Sequence, residues 1–92
     1  MIRSFRNSGL RNFWERSEIE RIPTDWAKKT AQILDLLDAA TTPEDLAIPG
    51  LRFHAFPEGG QPRFGVMVSA AWRLSFAWTQ GDAIDVDIEE VA

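Results

Sequence analysis

The first third of the chain carries apolar residues at helical spacing behind a short extended start. The opening "MIRSF" places two apolar residues among arginines and predicts a short strand. Leu10, Phe13 and Trp14 then follow the i, i+3, i+4 spacing of one helix face. The turn residues before them include Ser8, which we expect to cap this first helix.

A longer apolar stripe predicts a second helix between residues 22 and 40. Pro23 suits its first turn, because the N–H that proline lacks would have no helical partner there. The positions on the buried face are Trp26, Thr30, Ile33, Leu34, Leu36, Leu37 and Ala40. The segment Thr42-Pro43-Glu44-Asp45 then predicts one further helical turn, since Pro49-Gly50 stops it.

From residue 51 onward the apolar residues alternate with a period of two, which is typical of strands. The residues expected to face the core are Leu51, Phe53 and Ala55, then Phe64, Val66 and Val68, then Trp72, Leu74, Phe76 and Trp78, and last Ile84, Val86 and Ile88. A loop is expected over residues 57–62 and a hairpin turn over residues 79–82. Short connections join antiparallel neighbours. The predicted fold class is therefore α+β, with an N-terminal strand and two helices packed on one face of an antiparallel sheet of four further strands.

Composition narrows the classes of function. The chain has 92 residues, so a single domain is expected over residues 1–92. One His and no Cys argue against a zinc centre and thiolate chemistry, and we expect neither a metal nor another cofactor. No run approaches the ~20 apolar residues of a membrane span and no signal-peptide core is present, so a cytoplasmic protein is expected. The net charge of −4 disfavours nucleic-acid binding by charge alone, although residues 1–21 hold five Arg.

The face of the sheet that turns away from the helices holds the candidate chemistry. Because side chains alternate along a strand, His54 and Arg73 point away from the core, together with Arg52 and the carboxylates of the last strand. A His transfers protons near neutral pH, and an Arg holds phosphoryl oxygens through parallel hydrogen bonds. These residue types suit acid–base work on a phosphate. Ion pairs on a solvated face would give the same pattern, so spacing alone leaves both interpretations open.

Four segments carry a family resemblance through their order and spacing. They are "IRSFRNSGLRNFWE", "TPEDLAIPGLRFH", "AWRLSFAW" and "GDAIDVDIEE". The first is similar to the opening of the HigB group of RelE/ParE toxins, the toxic halves of bacterial toxin–antitoxin pairs. The second resembles that family's run through its second strand, and the last two resemble its final hairpin. The resemblance covers nearly the whole chain.

The resemblance implies a fold, an activity and a partner. The fold would be the small RelE-like unit, and the activity would be cleavage of mRNA in the ribosome's decoding site through attack by the neighbouring 2′-hydroxyl. The partner would be a helix-turn-helix antitoxin of the HigA type. By position, the catalytic residues would be His54 as acid or base, Arg73 on the phosphate and Glu90 as a carboxylate. Arg52 and Arg63 would contact the RNA backbone.

Three departures from the family pattern bear on activity. Val91 and Ala92 stand where the family places a Tyr that stacks on a base and a His that moves protons. The family's Lys/Arg-rich loop after the histidine has no base here before Arg63, and Ser69-Ala70-Ala71 replaces an Asn-Gly-Asn turn. A positioned acid or base contributes about 10²–10⁴-fold to a rate. Base stacking contributes ~1–3 kcal/mol, so we expect reduced activity.

Three other functions stay open at this point. The first is a catalytically inactive module with the toxin fold that still pairs with an antitoxin. The second is a structural or regulatory protein unrelated to toxins, which the ungapped resemblance disfavours. A gyrase poison of the ParE type is compatible with the fold, but no feature of the sequence favours it.

Overall fold

The computed structural model describes residues 1–16 and 24–91, and within them it contains two α-helices, one helical turn and four strands. The bounds are α1 Ser8–Arg16, α2 Thr24–Ala39, a 3₁₀ turn Pro43–Leu46, β1 His54–Glu58, β2 Gln61–Met67, β3 Trp72–Thr79 and β4 Asp82–Glu90. The strands form one sheet in the order β1-β2-β3-β4, and each neighbouring pair is antiparallel. This meander follows from the short links, which can only reverse the chain. The predicted α+β class is confirmed.

The core lies between the helices and one face of the sheet. Its fully buried large side chains come from both layers and are Leu10, Ile33, Leu34, Leu37, Leu46, Val66, Leu74, Phe76 and Val86. Burial of each contributes about 1.5–3 kcal/mol. The opposite face of the sheet has no helix over it among the described residues, so polar side chains can lie there.

The first six residues run beside β4 and extend the sheet in parallel. Ile2 pairs with Ala83 and Phe5 pairs with Val86. Backbone hydrogen bonds of 2.8 to 3.1 Å join the two segments. The predicted N-terminal strand is thus an extended segment held by two isolated bridges. Its apolar side chains pack against the core.

The cap of α1 differs from the sequence-based prediction. The Oδ1 atom of Asn7 accepts a hydrogen bond of 2.9 Å from the Leu10 N–H. The Asn7 carbonyl accepts the first helical bond, from the Arg11 N–H. These two contacts make Asn7 the N-cap, so the assignment of the cap to Ser8 was wrong by one residue.

The buried face of α2 follows the predicted stripe with one exception. Thr30, Ile33, Leu34, Leu37 and Ala40 are all buried. Leu36 is 42% exposed, because it stands roughly 200° around the helix from Leu34 at 3.6 residues per turn. The turn predicted after the helix is confirmed at Pro43–Leu46. The predicted first-turn Pro23 and the side chain of Trp26 lie outside the described residues.

β1 and β2 form a tight hairpin where the sequence predicts a loop. β1 begins at His54 rather than at residue 51, because Arg52 has a left-handed backbone (φ 55°) that interrupts the extended run. The strands continue through Pro57 and Pro62, which are partners across the hairpin. The turn itself is Gly59-Gly60, with the two positive φ angles of a type I′ turn. The loop prediction was wrong because two glycines suffice to reverse the chain.

A β-bulge in β4 changes which residues face the core. Opposite the stretch from Ser75 to Ala77, β4 contains one residue more than β3. Asp85 takes up the extra residue with a φ of 51°, a conformation that Asp tolerates better than most residues. Ala83 is therefore fully buried, and Ile84 lies on the other face, partly exposed. The prediction that Ile84 faces the core was wrong for this reason.

Candidate functional site

The sheet register brings the predicted histidine and arginine together on the polar face. His54 in β1 is the partner of Gly65 in β2, and Arg73 in β3 is the partner of Glu89 in β4. The Nε2 atom of His54 lies 3.3 Å from Nη1 of Arg73. The two side chains reach each other over β2, the strand that separates them. The predicted grouping of this pair is found in the structure.

Gly65 allows this contact because it has no side chain. A Cβ atom at this position would lie 2.9 Å from His54 Nε2 and 3.3 Å from Arg73 Cδ. Non-bonded atoms prefer about 3.5–4.0 Å, so any side chain here would push the pair apart. Gly65 thus forms the floor of the site.

The hydrogen bonds of His54 determine how its ring can act. Nδ1 lies 2.8 Å from the carbonyl oxygen of Arg52. A carbonyl oxygen only accepts, so the proton of the neutral ring is on Nδ1. Nε2 then keeps its lone pair, which accepts a hydrogen bond of 3.3 Å from Nη1 of Arg73. The ring can therefore accept a proton on the side that faces the guanidinium.

Two neighbours hold Arg73 in a fixed orientation. Its Nε donates a hydrogen bond of 2.9 Å to Oε1 of Glu89. Its guanidinium carbon lies 3.7 Å from the centre of the Phe56 ring, whose face attracts a cation. The side chain is still 20% exposed. A guanidinium has five N–H groups, so donors remain for an anion such as a phosphate.

Glu89 connects this surface pair to the interior. Burial opposes ionisation of its carboxyl group, but hydrogen bonds from Ser75 and Arg73 and the Arg73 charge outweigh burial and lower the pKa of Glu89. Ser75 is fully buried and accepts a hydrogen bond of 2.9 Å from Nη2 of Arg63. A chain of polar contacts therefore runs from buried Arg63 through Ser75 and Glu89 to Arg73.

Of the two residues predicted to contact RNA, one is on the surface and the other is not. Arg52 is exposed and borders a shallow cleft of about 300 Å³ together with Lys29. Arg63 is only 3% exposed and is part of the polar chain described above. Strand alternation placed Arg63 on this face but did not predict its burial, and its contact with RNA stays a prediction.

The predicted carboxylate does not lie with His54 and Arg73. Glu90 is the partner of Trp72, so its side chain leaves the sheet on the face opposite to Arg73. The neighbouring acid, Glu89, holds the arginine instead. Val91 is 43% exposed, and its N–H donates a hydrogen bond of 2.8 Å to the Ala71 carbonyl. Ala92 lies outside the described residues.

Sequence reasoning missed three residues that shape the site: Phe56, Gly65 and Ser75. Phe56 shares the face of His54 by strand alternation, and its ring supports the guanidinium. An isolated glycine inside a strand pattern indicates a close approach of other groups, which is the role of Gly65. The bridging role of Ser75 has no signal in the sequence, because its partners come from other strands.

The arrangement can accept a proton and hold an anion at one place. A lone pair on the imidazole faces a guanidinium that keeps spare donors, on a surface open to solvent. Among residues 1–16 and 24–91, no group of three His, Cys, Asp or Glu side chains is placed to hold a metal ion. No helix in those ranges is long and apolar enough to cross a membrane.

Similarity to known proteins extends over almost the whole chain. Residues 3–90 match the model of a family described as RelE-like toxin of type II toxin–antitoxin system HigB. The chain is 26% identical over 90 residues to endoribonuclease HigB of Proteus vulgaris, with 98% of each chain covered. It is 30% identical over 91 residues to toxin HigB-1 of Vibrio cholerae serotype O1, covering 97% of this chain and 96% of the relative. The chain therefore belongs to the HigB-like family, the RelE-like toxins of type II toxin–antitoxin systems.

Proposed function

We propose that this toxin cleaves mRNA on the ribosome, with His54 and Arg73 as the reacting pair. The observation that carries the proposal is the 3.3 Å contact between His54 Nε2 and Arg73 Nη1 on the exposed face. It supports the proposal because an imidazole that can accept a proton lies beside a guanidinium that can hold an anion. The Proteus vulgaris relative is named an endoribonuclease, which supports the same class of chemistry.

The reaction follows from the roles that the two side chains can take. His54 Nε2 accepts the proton of an RNA 2′-hydroxyl, and the 2′-oxygen attacks the neighbouring phosphorus. Arg73 donates hydrogen bonds to the non-bridging phosphate oxygens, where negative charge develops. The bond to the 5′-oxygen breaks and leaves a 2′,3′-cyclic phosphate. The 5′-oxygen takes a proton from water, and the hydroxide formed takes the proton back from His54, which restores the neutral ring.

The remaining predicted residues have outer roles in this proposal. Exposed Arg52, with Lys29 beside the same cleft, contacts the RNA backbone. Glu90 acts on the reaction only from a distance, because its side chain leaves the end of β4 on the other face of the sheet. We therefore expect Glu90→Gln to reduce cleavage less than any change to His54 or Arg73.

As a toxin of a type II system, the protein has an antitoxin partner. We propose that this partner is a helix-turn-helix protein of the HigA type. We also propose that the toxin acts in the cytoplasm, where ribosomes translate mRNA. The test is co-purification with the product of the neighbouring open reading frame. Failure of the two proteins to associate would contradict this part of the proposal.

A second candidate is a module with the toxin fold that binds the antitoxin but no longer cleaves RNA. One observation favours it: Val91 and Ala92 stand where the resemblance places Tyr and His. A base-stacking aromatic contributes ~1–3 kcal/mol. A positioned acid contributes about 10²–10⁴-fold, so the loss of both could leave cleavage too slow to matter in a cell.

Cleavage of ribosome-bound mRNA by the purified toxin separates the two candidates. Wild-type protein should cleave, and His54→Ala and Arg73→Ala should each lose about 10²–10⁴-fold. Arg11→Ala is the matched control, because Arg11 is an exposed arginine of α1. Equal rates for wild type and Arg73→Ala would contradict the proposal. No cleavage by wild type would leave the binding module as the function.

Restoration of the missing pair tests the reason for slow cleavage. The double variant Val91→Tyr/Ala92→His should cleave faster than wild type and inhibit growth more strongly on expression. Unchanged cleavage would show that these two positions do not limit the reaction.

A further inference from the structure

A second cleft lies on the polar face, at the end of the sheet near the β1–β2 hairpin turn. It has a volume of about 390 Å³ and is bordered by the N-terminal segment, the end of β1 and the bulge of β4. The residues that matter here are Arg6, Glu58, Arg63 and Asp85. His54 and Arg73 are not part of its wall.

Arg63 in this cleft is buried with part of its hydrogen-bonding capacity unused. Its side chain is 3% exposed. Nη2 donates to the Ser75 hydroxyl and to the Asp85 carbonyl, each at 2.9 Å. Nε and Nη1 are buried and have no hydrogen-bond partner among the described residues. Buried donors are nearly always paired in proteins, so two unpaired ones on a cation indicate room for an acceptor.

The electrostatic surroundings of Arg63 also favour an added anion. Burial and the nearby charge of Arg6 lower the pKa of Arg63, because both disfavour the charged guanidinium. Glu58 offsets this only in part. Its Oε2 atom lies 3.7 Å from Arg63 Nε, too far for a hydrogen bond, while its Oε1 atom lies 3.0 Å from Arg6 Nη2.

Glu58 marks where the oxygens of an anion would sit. Its carboxylate lies between two guanidinium groups, in contact with one and slightly too far from the other. Glu58 is the last residue of β1 and its side chain is 41% exposed, so it can turn into solvent and vacate this position. Asp85 adds a second acid to the wall, but it contacts Arg63 through its carbonyl.

We propose that Arg6 and Arg63 form a binding site for a phosphate oxyanion, which displaces the Glu58 carboxylate. Phosphate oxygens accept hydrogen bonds from two guanidinium groups at once and would satisfy Nε and Nη1 of Arg63. The carboxylates of Glu58 and Asp85 make the site weak for a free anion.

The ligand is a backbone phosphate of the RNA substrate, and this assignment rests on the proposed function. Arg63 and Gly65 lie on the same face of β2, two positions apart. That spacing is about 7 Å along a strand, a distance that one or two extended nucleotides span. Gly65 lies under His54 and Arg73, so a strand that is cleaved there passes the second cleft with a neighbouring phosphate.

The first experiment follows the Arg63 Nε–H signal by NMR while inorganic phosphate is added to the full chain. The signal should shift and saturate, and Glu58→Gln should bind phosphate several-fold more tightly because the competing charge is removed. Arg6→Met should abolish the shift, and Arg73→Met should leave it intact. Arg6 is 44% exposed, so Arg6→Met should keep the fold and the Arg63 Nε–H signal that reports binding.

Two outcomes of this titration overturn the site. One is an Arg63 Nε–H signal that stays unmoved by phosphate in both wild type and Glu58→Gln, which would mean that water alone fills the cleft. The other is loss of the shift in Arg73→Met, which would place the bound phosphate at the cleavage site.

The second experiment asks whether the phosphate belongs to RNA, with a 2′-O-methylated oligonucleotide that cannot be cleaved. Arg6→Met should weaken binding about tenfold and reduce the slope of log affinity against log salt by about 0.7, the value for one phosphate of a single strand. An unchanged slope, with inorganic phosphate still bound, overturns the RNA assignment and leaves a site for a free phosphate compound. If the wild type binds phosphate and RNA in this way but cleaves nothing, the cleft is upheld and the proposed cleavage fails.

Discussion

Arg63 and Arg73 lie on the same face of one sheet, yet their surroundings are opposite. Arg73 is 20% exposed and meets His54, Glu89 and the ring of Phe56. Arg63 is 3% exposed and leaves Nε and Nη1 unpaired among the described residues. The difference comes from the neighbouring backbone, since the β4 bulge directs the Asp85 carbonyl at Arg63 and the N-terminal segment borders its cleft. A charged residue on the open face of a sheet can thus be a surface group or a buried one.

Replacement of each arginine by alanine should give the largest difference in the free energy of unfolding. Arg63→Ala should lower the free energy of unfolding by about 2–4 kcal/mol, because it leaves a cavity and the Ser75 hydroxyl without its donor. Arg73→Ala should cost about 1 kcal/mol or less, since its ion pair is partly exposed. Urea denaturation followed by tryptophan fluorescence measures both.

The control for this contrast is Arg63→Met, which keeps most of the side-chain volume and removes the buried charge. Replacement of a buried ion by an apolar residue of similar size is often nearly neutral. It should therefore cost less than Arg63→Ala. Equal losses for Arg63→Ala and Arg73→Ala would show that the two surroundings do not differ in energy.

Gly65→Ala should separate His54 from Arg73 while leaving the Arg63 cleft in place. The added methyl would stand 2.9 Å from His54 Nε2. Overpacking of this kind costs about 1–3 kcal/mol, and a displacement of about 1 Å in the reacting pair can cost 10²-fold in rate. Cleavage assays on the single variant and on a His54→Ala background form the test. A loss from Gly65→Ala that persists in full without the His54 ring would show that the contact is not its cause.

Ser75→Ala should break the chain of hydrogen bonds that runs from Arg63 through Ser75 and Glu89 to Arg73. The hydroxyl accepts from Arg63 Nη2 and donates to Glu89, which holds Arg73. Loss of both hydrogen bonds in a buried place should cost about 1–3 kcal/mol of stability. Cleavage should fall only several-fold, because the Arg73–Glu89 contact remains. Unfolding curves and cleavage rates for Ser75→Ala, with Ser8→Ala as a control at an exposed position of α1, give the comparison.

A fall in pH should lower the free energy of unfolding through Glu89, the carboxylate that holds Arg73. This should be the smallest of the predicted effects. The pKa of Glu89 is lowered in the folded protein, so its ionisation stabilises the fold above its ordinary pKa. That contribution is lost as the pH falls through the lowered folded value. Unfolding curves from about pH 6 to pH 3 should show less acid loss in Glu89→Gln than in wild type. Parallel losses in the two proteins would mean that Glu89 ionises alike in both states.

The candidate site was predictable where it depends on the alternation of side chains within a strand. Alternation placed His54 and Arg73 on the polar face, and it placed Glu89 there as well. The family resemblance carried Glu90 instead, whose side chain leaves the sheet on the opposite face. Alternation did not single out Glu89 among the carboxylates of β4, because the partner of Arg73 depends on the register between β3 and β4.

The β1–β2 hairpin shows where local reasoning failed. Two prolines and two glycines within residues 57–62 predicted a loop, but Gly59-Gly60 forms a two-residue turn and the strands run through both prolines. Proline is tolerated in β1 because β1 is an edge strand in the described sheet. Whether a strand lies at an edge is a property of the whole sheet and cannot be read from its own residues.

The sequence by itself determined the two helix faces, the strand periodicity, the α+β class and the face on which His54 and Arg73 lie. These depend on the periods of helix and strand, which are local. The tertiary structure decided the burial of Arg63, the inward turn of Ala83 and the contact over Gly65. Each of these depends on the register between strands and on left-handed backbone at Arg52 and Asp85, which residues other than glycine adopt only when their surroundings hold them there.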